Sequence, residues 1–328
     1  MTKIIGRLVD VGIAAESSRG GGLAPTFGIP KASFSFDDKV VKARSRQTYG
    51  NIAMDGAQAI PAKQWSEGTL EMDMMDKPFG LLLYALLGAK SVSGPTDSAY
   101  THTFTLSNTN QHQSLAVTVK QSSLASLMYK LTMIQSLKIE IVPEEIVKVT
   151  AVLLGKKGVT TTSTVSYATA YNKFVGRDLS FKLASLTSGL NAASNIPLKK
   201  LTLNFEKNLY VDHALGTVQP IDILNQGFRI TGEVELDYQD RTYADYMSDG
   251  TYRAMRINLT NRRADAVIGA ATNPAFTIDL SKVEFDQWEP NYPNDEIVKQ
   301  KFQFTAMYDT VNGNIINSCT LVNAQASY

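Results

Sequence analysis

Cysteine is almost missing. Cys319 stands alone among 328 residues, which excludes an intramolecular disulfide framework and any zinc site built on several cysteines, and makes a reducing compartment the default expectation. Histidine is nearly as sparse. His102, His112 and His213 are scattered, with no His-x-x-x-His or His-x-x-Glu-His spacing to set two ligands on one helix face. No membrane-spanning helix is expected, because the longest apolar run, Phe79 to Ala89, is eleven residues against the roughly 20 required. Met1 to Arg7 lacks the apolar core of a secretion signal, so the protein is expected to stay where it is made. Excess charge is missing too: 32 Lys+Arg against 31 Asp+Glu leave a net +1, which argues against a dedicated nucleic-acid binder. Nor is there a phosphate loop. Gly20-Gly21-Gly22 and Gly155-Lys156-Lys157-Gly158 both lack the Gly-x4-Gly-Lys-Ser/Thr spacing, so no cofactor is expected.

What is present is ordinary globular material, 44% hydrophobic, in a length that suits about two domains. The balanced charge hides an asymmetry. Residues 1–195 carry 20 Lys+Arg and 14 Asp+Glu, whereas 196–328 carry 12 and 17, so the two parts attract, within a chain or between neighbouring copies. Residues 1–31 contain Ser17-Ser18-Arg19-Gly20-Gly21-Gly22, Pro25, Gly28 and Pro30 and read as an extended arm. From Ala32 the pattern turns to period two. Phe34, Phe36, Leu70, Met72 and Met74 alternate with polar residues, as half-buried antiparallel strands do. Between them a long polar loop is expected at about 41–63, and a loop of that length in a compact protein is usually functional or disordered. Asp76-Lys77-Pro78 opens the one convincing helix, with Asp76 as the expected cap and Gly88 as the stop. Further strands are expected at 103–106, 115–119, 137–141 and 147–153. Residues 158–166 read equally as a linker start or an exposed strand. The Ser/Asn/Gly/Ala-rich stretch 186–197 is the expected break, giving an arm at 1–31, a first domain at 32–185, a linker at 186–197 and a second domain at 198–328.

The two parts share a segment that matches at a constant offset of 164. Gly68-Thr69-Leu70-Glu71-Met72-Asp73, followed by Asp76-Lys77 and Phe79, aligns with Gly232-Glu233-Val234-Glu235-Leu236-Asp237, followed by Asp240-Arg241 and Tyr243. Upstream, Phe34-Ser35-Phe36-Asp37 is similar to Leu203-Asn204-Phe205-Glu206; downstream, Glu145-Ile146-Val147-Lys148 recurs as Glu296-Ile297-Val298-Lys299. The order is kept, with expected loops at 41–63 and 207–226 in equivalent places, so a duplicated β domain is expected. Head-to-tail contacts between such copies close into rings, and ring closure covers strand edges.

Gly12-Ile13-Ala14-Ala15-Glu16-Ser17 leading through Gly22, Pro25-Thr26 and Ile29-Pro30, then Thr48-Tyr49-Gly50, Glu71, the Phe79 to Gly88 helix, Tyr100-Thr101-His102-Thr103-Phe104 and the 115–119 strand, resemble the major tail tube proteins of long-tailed, non-contractile bacteriophages. The likeness is to the branch with two tube domains per chain. The resemblance implies a mainly β fold of two tandem β-sandwich domains, each with a flanking α-helix, whose inner strands contribute to a ring-shaped barrel. It also implies a structural subunit rather than an enzyme, forming trimeric, pseudo-hexameric rings that stack into a hollow tube in the virion tail, assembled in the host cytoplasm. Implied partners are further copies of the chain, tail tip and tail terminator proteins, and, in transit, double-stranded DNA and a tape measure protein; no membrane is involved. Ring stacking would fall to the arm and the two long loops, with Arg44, Arg46, Tyr49, Asp55, Asp212 and Asp222 as candidate contacts.

Two residue groups remain to be placed. Glu71 and Asp73, with Glu233, Glu235 and Asp237, project from common strand faces; they read as a lumen lining that repels phosphate, as a solvated outer face, or as a catalytic carboxylate pair. Arg253, Arg256, Arg262 and Arg263 form the sharpest basic cluster and read as a salt-bridged subunit interface, with nucleic-acid contact as the alternative. Rival readings are another β-rich virion component such as a capsid decoration or baseplate protein, an enzyme acting on carbohydrate or DNA, and a transmembrane β-barrel, against which the polar ending at 323–327 argues.

Overall fold

Period-two alternation becomes strand almost wherever it occurs. The computed structural model describes residues 3–44, 50, 52, 59–121 and 125–328. Its first part holds strands β1 (Val9–Ala15), β2 (Phe27–Gly28), β3 (Lys31–Arg44), β4 (Ala59–Asp73), β5 (Gly88–Thr96), β6 (Ala99–Leu106), β7 (Leu115–Gln121), β8 (Ser126–Ile141), β9 (Lys148–Gly155) and β10 (Val159–Thr161). The second holds β11 (Leu179–Ala184), β12 (Lys200–Asp212), β13 (Asp222–Asp237), β14 (Arg253–Thr260), β15 (Ala275–Asn291), β16 (Lys299–Met307) and β17 (Ile316–Asn323). Helix α1 (Asp76–Leu87) follows β4, and the shorter α2 (Thr242–Ser248) follows β13.

Eight strands form an inner sheet in the order β3-β4-β9-β8-β12-β13-β16-β15, antiparallel throughout. Its second four strands repeat the pairing of the first four. Leu70 pairs with Ala151 as Val234 pairs with Phe302, and Ile139 pairs with Val149 as Pro290 pairs with Gln300. The bulge in β8 between Ile134 and Ser136 recurs in β15 between Phe285 and Gln287. Bulges bend a strand, and here each long strand passes at its bulge from the inner sheet into an outer one. The outer sheets repeat as well: β10·β8·β7·β1 in the first part, β17·β15·β14·β11 in the second. The β5–β6 hairpin has no counterpart between α2 and β14. It adds to the second part instead, through β6 on β17.

The alternation sorts side chains by face. Leu70, Met72, Leu137, Ile139, Leu201, Leu203, Phe205, Val234, Phe302 and Phe304 are buried on one face of the inner sheet, in a single apolar core that spans both parts. Helix α1 packs into that core on nearly every side, including Phe79, Leu82 and Leu86 at 0% exposure, and Gly88 ends it in the left-handed region at φ 90°. The cap differs from expectation. Met75 is the capping residue, because the Asp76 carboxylate is engaged by Asn172, whose backbone N–H and side-chain amide donate at 3.0 and 2.9 Å. The C-terminal Tyr328 lies across α1 where Gly80 leaves room; a Cβ there would sit 2.1 Å from the ring.

Several expectations are corrected. The arm at 1–31 contains β1, whose Val11, Ile13 and Ala14 are buried, and the Ser17–Gly22 stretch is held by buried Glu16, which accepts from the N–H groups of Gly20, Gly22 and Leu131 and from the Ser114 hydroxyl. The long loops are shorter than expected, since β3 and β4 extend to Arg44 and back from Ala59, and β12 and β13 leave only 213–221 between them. Of the two readings of 158–166, the strand holds for residues 159–161. The stretch 186–197 does not separate the two parts, because β11, which precedes it, pairs with β14. Finally, the upstream match is displaced by two residues: Phe34 faces Leu70 and Leu201 faces Val234, so Phe34 corresponds to Leu201 rather than Leu203.

Candidate assembly surface

The uncovered face of the inner sheet carries the five acidic residues singled out by the sequence. Glu71 and Asp73 stand on β4, and Glu233, Glu235 and Asp237 on β13, with lysines between them from β16 and from the non-strand positions 173 and 199. Asp73 lies 2.7 Å from Lys173, Asp237 3.2 Å from Lys199, Glu235 3.5 Å from Lys299 and Glu233 3.9 Å from Lys301. At the junction of the two parts Glu140 of β8 meets Lys200 of β12 at 2.9 Å, and this lysine holds the Glu140 carboxyl below its ordinary range. The face is therefore a mixed lattice of charge. Lysines stand beside four of the five carboxylates. Such half-exposed pairs contribute little stability.

The sheet ends in two open edges. Among the described residues β3 pairs only with β4, and the Glu284–Asn291 portion of β15 only with β16. Both edges have a partnered counterpart inside the chain: β3 corresponds to β12 and that portion of β15 to the end of β8, and β8 and β12 pair with each other over Ser136–Ile141 and Leu201–Glu206.

Of the stacking candidates, Arg44 is exposed at the end of β3 and Asp212 lies at the end of β12 opposite Asp222. Arg46, Tyr49 and Asp55 lie outside the described residues. Asp222 is bonded within the chain. Its Oδ1 accepts from Arg19 at 2.6 and 3.0 Å and its Oδ2 from Gln111 at 2.8 Å; burial pulls its pKa upward, but these bonds hold it below the ordinary value. Arg19 also donates to the carbonyls of His112 and Ile223. Beside it Lys207, 4% exposed, donates to the Ala85 carbonyl in the last turn of α1 at 2.8 Å. Burial, reinforced by Arg19, lowers the lysine pKa to about 7.

The expected basic cluster does not converge. Arg256 makes a two-pronged bond to nearly buried Asp279, both at 2.7 Å, and reaches Asn191 at 2.6 Å. Arg253 lies over the Tyr246 ring and donates to Ser185. Arg263 donates to Asn261 and to the Lys173 carbonyl. Arg262 alone of the four faces solvent, beside a recess it shares with Arg177 and Asp178. Partners within the chain thus engage three of the four guanidinium groups, Arg256 most fully.

Among the described residues, no group of three or more His, Cys, Asp or Glu is placed to hold a metal, and no helix is long and apolar enough to cross a membrane. Cys319 is fully buried, which pushes its thiol far above the ordinary range. His102 and His112 are buried against backbone carbonyls. The described residues thus form a mainly antiparallel β chain whose inner sheet is covered on one face and has no partner strand at either edge. The sequence profile of one family, described as phage tail tube protein, matches residues 6–306. The chain belongs to the phage tail tube protein family. No curated protein matches it. Family membership makes it a structural component of the virion tail that self-assembles into a tube.

Sequence reasoning missed one repeated motif. Lys3-Ile4-Ile5-Gly6-Arg7 recurs as Lys173-Phe174-Val175-Gly176-Arg177, and each copy runs into one 3-10 turn and then an outer-sheet strand, β1 or β11. Ile29-Pro30 and Ile196-Pro197 likewise recur, with Ile29 bonding Val11 as Ile196 bonds Phe181.

Proposed function

We propose that the chain closes head to tail into a trimeric, pseudo-hexameric ring, by adding the β3 edge of one copy to the β15 edge of the next in the register that β12 and β8 already use. The observation that carries this reading is the internal β8·β12 junction between strands equivalent to the two free edges. Transferring its register places Ser35 opposite Asn291, Phe36 opposite Pro290 and Asp37 opposite Glu289. Three copies of an eight-stranded sheet make a barrel of 24 strands, about 37 Å across at the backbone from a strand spacing of about 4.8 Å, before tilt widens it. Helices and outer sheets cover the apolar face, so the barrel's interior is the mixed polar face that carries Glu71, Asp73, Glu233, Glu235 and Asp237. Carboxylates among lysines give a passing duplex no continuous basic track to bind, which suits DNA passage through a stacked tube. Two similar units per chain, one ending near residue 170 and the other beginning there, are the tube domains of this reading.

Stacking falls to the ends of the β3–β4 and β12–β13 hairpins, where Val41, Ile60, Tyr210 and Leu215 are exposed; end partners are tail tip and terminator proteins, with assembly in the host cytoplasm. Negative-stain electron microscopy of the purified protein over a concentration series, with solution mass, tests the proposal. Hollow tubes or rings of three copies are expected. A protein that stays monomeric at every concentration and does not grow from an added tail tip complex contradicts it.

A further inference from the structure

We infer that residues 3–7 of one copy lie in a groove beside α2 of the preceding copy, as residues 173–177 lie in the equivalent groove beside α1 within the chain. This inference rests on the ring proposed above. Within the chain, the second motif is a strap between the end of β4 and residues 145–147. The Phe174 N–H donates to the Met74 carbonyl at 3.1 Å, the Val147 N–H to Phe174 at 3.0 Å and the Gly176 N–H to Glu145 at 2.9 Å. Lys173 reaches Asp73 at 2.7 Å, and Phe174 is 0% exposed. The first unit is thus completed by a segment that opens the second.

The second unit has the same two walls and, among the described residues, no strap. The Tyr238 N–H donates to Val298 at 2.9 Å, as Met74 does to Val147 at 2.7 Å. Among the described residues, however, nothing accepts from the Val298 N–H or donates to the Tyr238 carbonyl. Ile297, equivalent to Ile146, is 72% exposed. Asp237 and Gln239, on either side of Tyr238, line a cavity of about 330 Å³ together with Tyr243 and Gln300 and, from the β11 side, Leu183 and Ile196. The chain also has one strap with no groove. Ile4 and Ile5 are 38% and 62% exposed, although their motif forms the same turn, with Leu8 bonding Ile5 and Asp178 bonding Val175, both at 2.9 Å.

One geometric relation satisfies both vacancies. Inside the chain the later unit supplies the strap to the earlier unit's groove, and the same two units share the β8·β12 junction. Repeating that relation from the second unit of one copy to the first unit of the next forms the β15·β3 seam and brings Ile4 to Tyr238 and Val298, Gly6 to Glu296 and Lys3 to Asp237. Each subunit is then locked to its neighbour by a donated segment as well as by strand pairing. An extended pair of isoleucines is the occupant the groove requires, since Phe174-Val175 is the occupant its twin contains.

The test uses the full-length chain with cysteine pairs. Val175 is bridged to Ile146, so Ile5→Cys with Ile297→Cys is the strap pair; Ser35→Cys with Asn291→Cys is the seam pair. After assembly and oxidation, non-reducing electrophoresis is expected to show covalent multimers for both double variants and none for the four single ones. Multimers from the seam pair with none from the strap pair overturn the inference and leave the ring intact. A disulfide within one chain from the strap pair also overturns it, and multimers from neither pair overturn both the strap and the ring. As a second readout, Ile4→Asp is expected to raise the concentration needed for assembly by about tenfold or more, the loss of one buried isoleucine; unchanged assembly contradicts the strap.

Discussion

Arg19 and Asp222, 203 residues apart, form a bond of 2.6 Å that ties the turn after β1 to the start of β13. The contact crosses from the first unit to the second, and its surroundings are closed by Gln111, His112 and Lys207. Arg19→Ala leaves a partly buried carboxylate short of two donors and the Ile223 carbonyl short of one. A loss of about 2 kcal/mol is expected, measured by denaturant unfolding. Asp222 has its pKa held down in the folded state, so the bond contributes fully above the unfolded carboxylate range and is lost as pH falls through the folded value. The variant is therefore expected to lose less stability than the parent between pH 5 and pH 3, and equal losses contradict this.

Lys207 gives a second pH dependence of the opposite kind. Its pKa falls on folding to about 7, so between that value and the unfolded value of roughly 10.4 the unfolded chain binds more protons. Stability from this group rises with pH across that window. Lys207→Met, which keeps the stem and drops the charge, is expected to stabilise the protein at pH 6 and to flatten its melting temperature between pH 7 and pH 9. A parallel displacement of the two curves would show that the lysine does not titrate there.

Gly68 and Gly232 hold the same place in the two units. A Cβ at Gly68 would lie 1.9 Å from the Ser35 carbonyl oxygen, which belongs to a paired strand and cannot move away. At Gly232 the nearest atoms belong to the Phe304 ring at 2.3 Å, and the equivalent carbonyl oxygen, that of Thr202, lies farther off at 2.7 Å. Gly68→Ala is expected to cost about 3 kcal/mol or more and Gly232→Ala less, because a ring shifts more easily than a strand. Thermal melts of the two variants, compared in the unassembled state, check the order.

The proposed seam sets Asp37 opposite Glu289, a like-charge pair that the internal junction avoids, since Asn204 faces Lys138 there. Glu289→Lys is expected to lower the concentration at which tubes form by about two- to fivefold, from a cross-strand charge contribution of up to about 1 kcal/mol. Light scattering over a dilution series reads it. No change, together with no effect of Asp37→Lys, contradicts the register.

The fold was largely legible because its signals are local. Alternation at Leu70–Met72 and Leu137–Ile141, the Pro78 opening and the Gly88 stop of α1, and the Gly-x-apolar-Glu repeat each lie within a few residues. The two-residue slip in matching Phe34 has the same origin, for a period-two pattern looks alike when shifted by two and only the partner strand fixes it. The arm was misread because composition weighs Gly20–Gly22 and ignores Glu16, whose four bonds order them. The ion pair of Arg256 was not legible, because Asp279, its partner, is brought near only by the β14–β15 pairing. The strap motif at residues 3–7 could have been found by comparing the chain with itself from its first residue.

The most direct test of ring closure is a cryo-electron microscopy reconstruction of the assembled tube at a resolution that separates strands. The account predicts a barrel of 24 strands in which β3 of one copy lies antiparallel to β15 of the next, with Ser35 opposite Asn291 and the Glu71 and Glu235 side chains facing the lumen. A tube in which β3 remains unpaired, or pairs with any other strand, contradicts it.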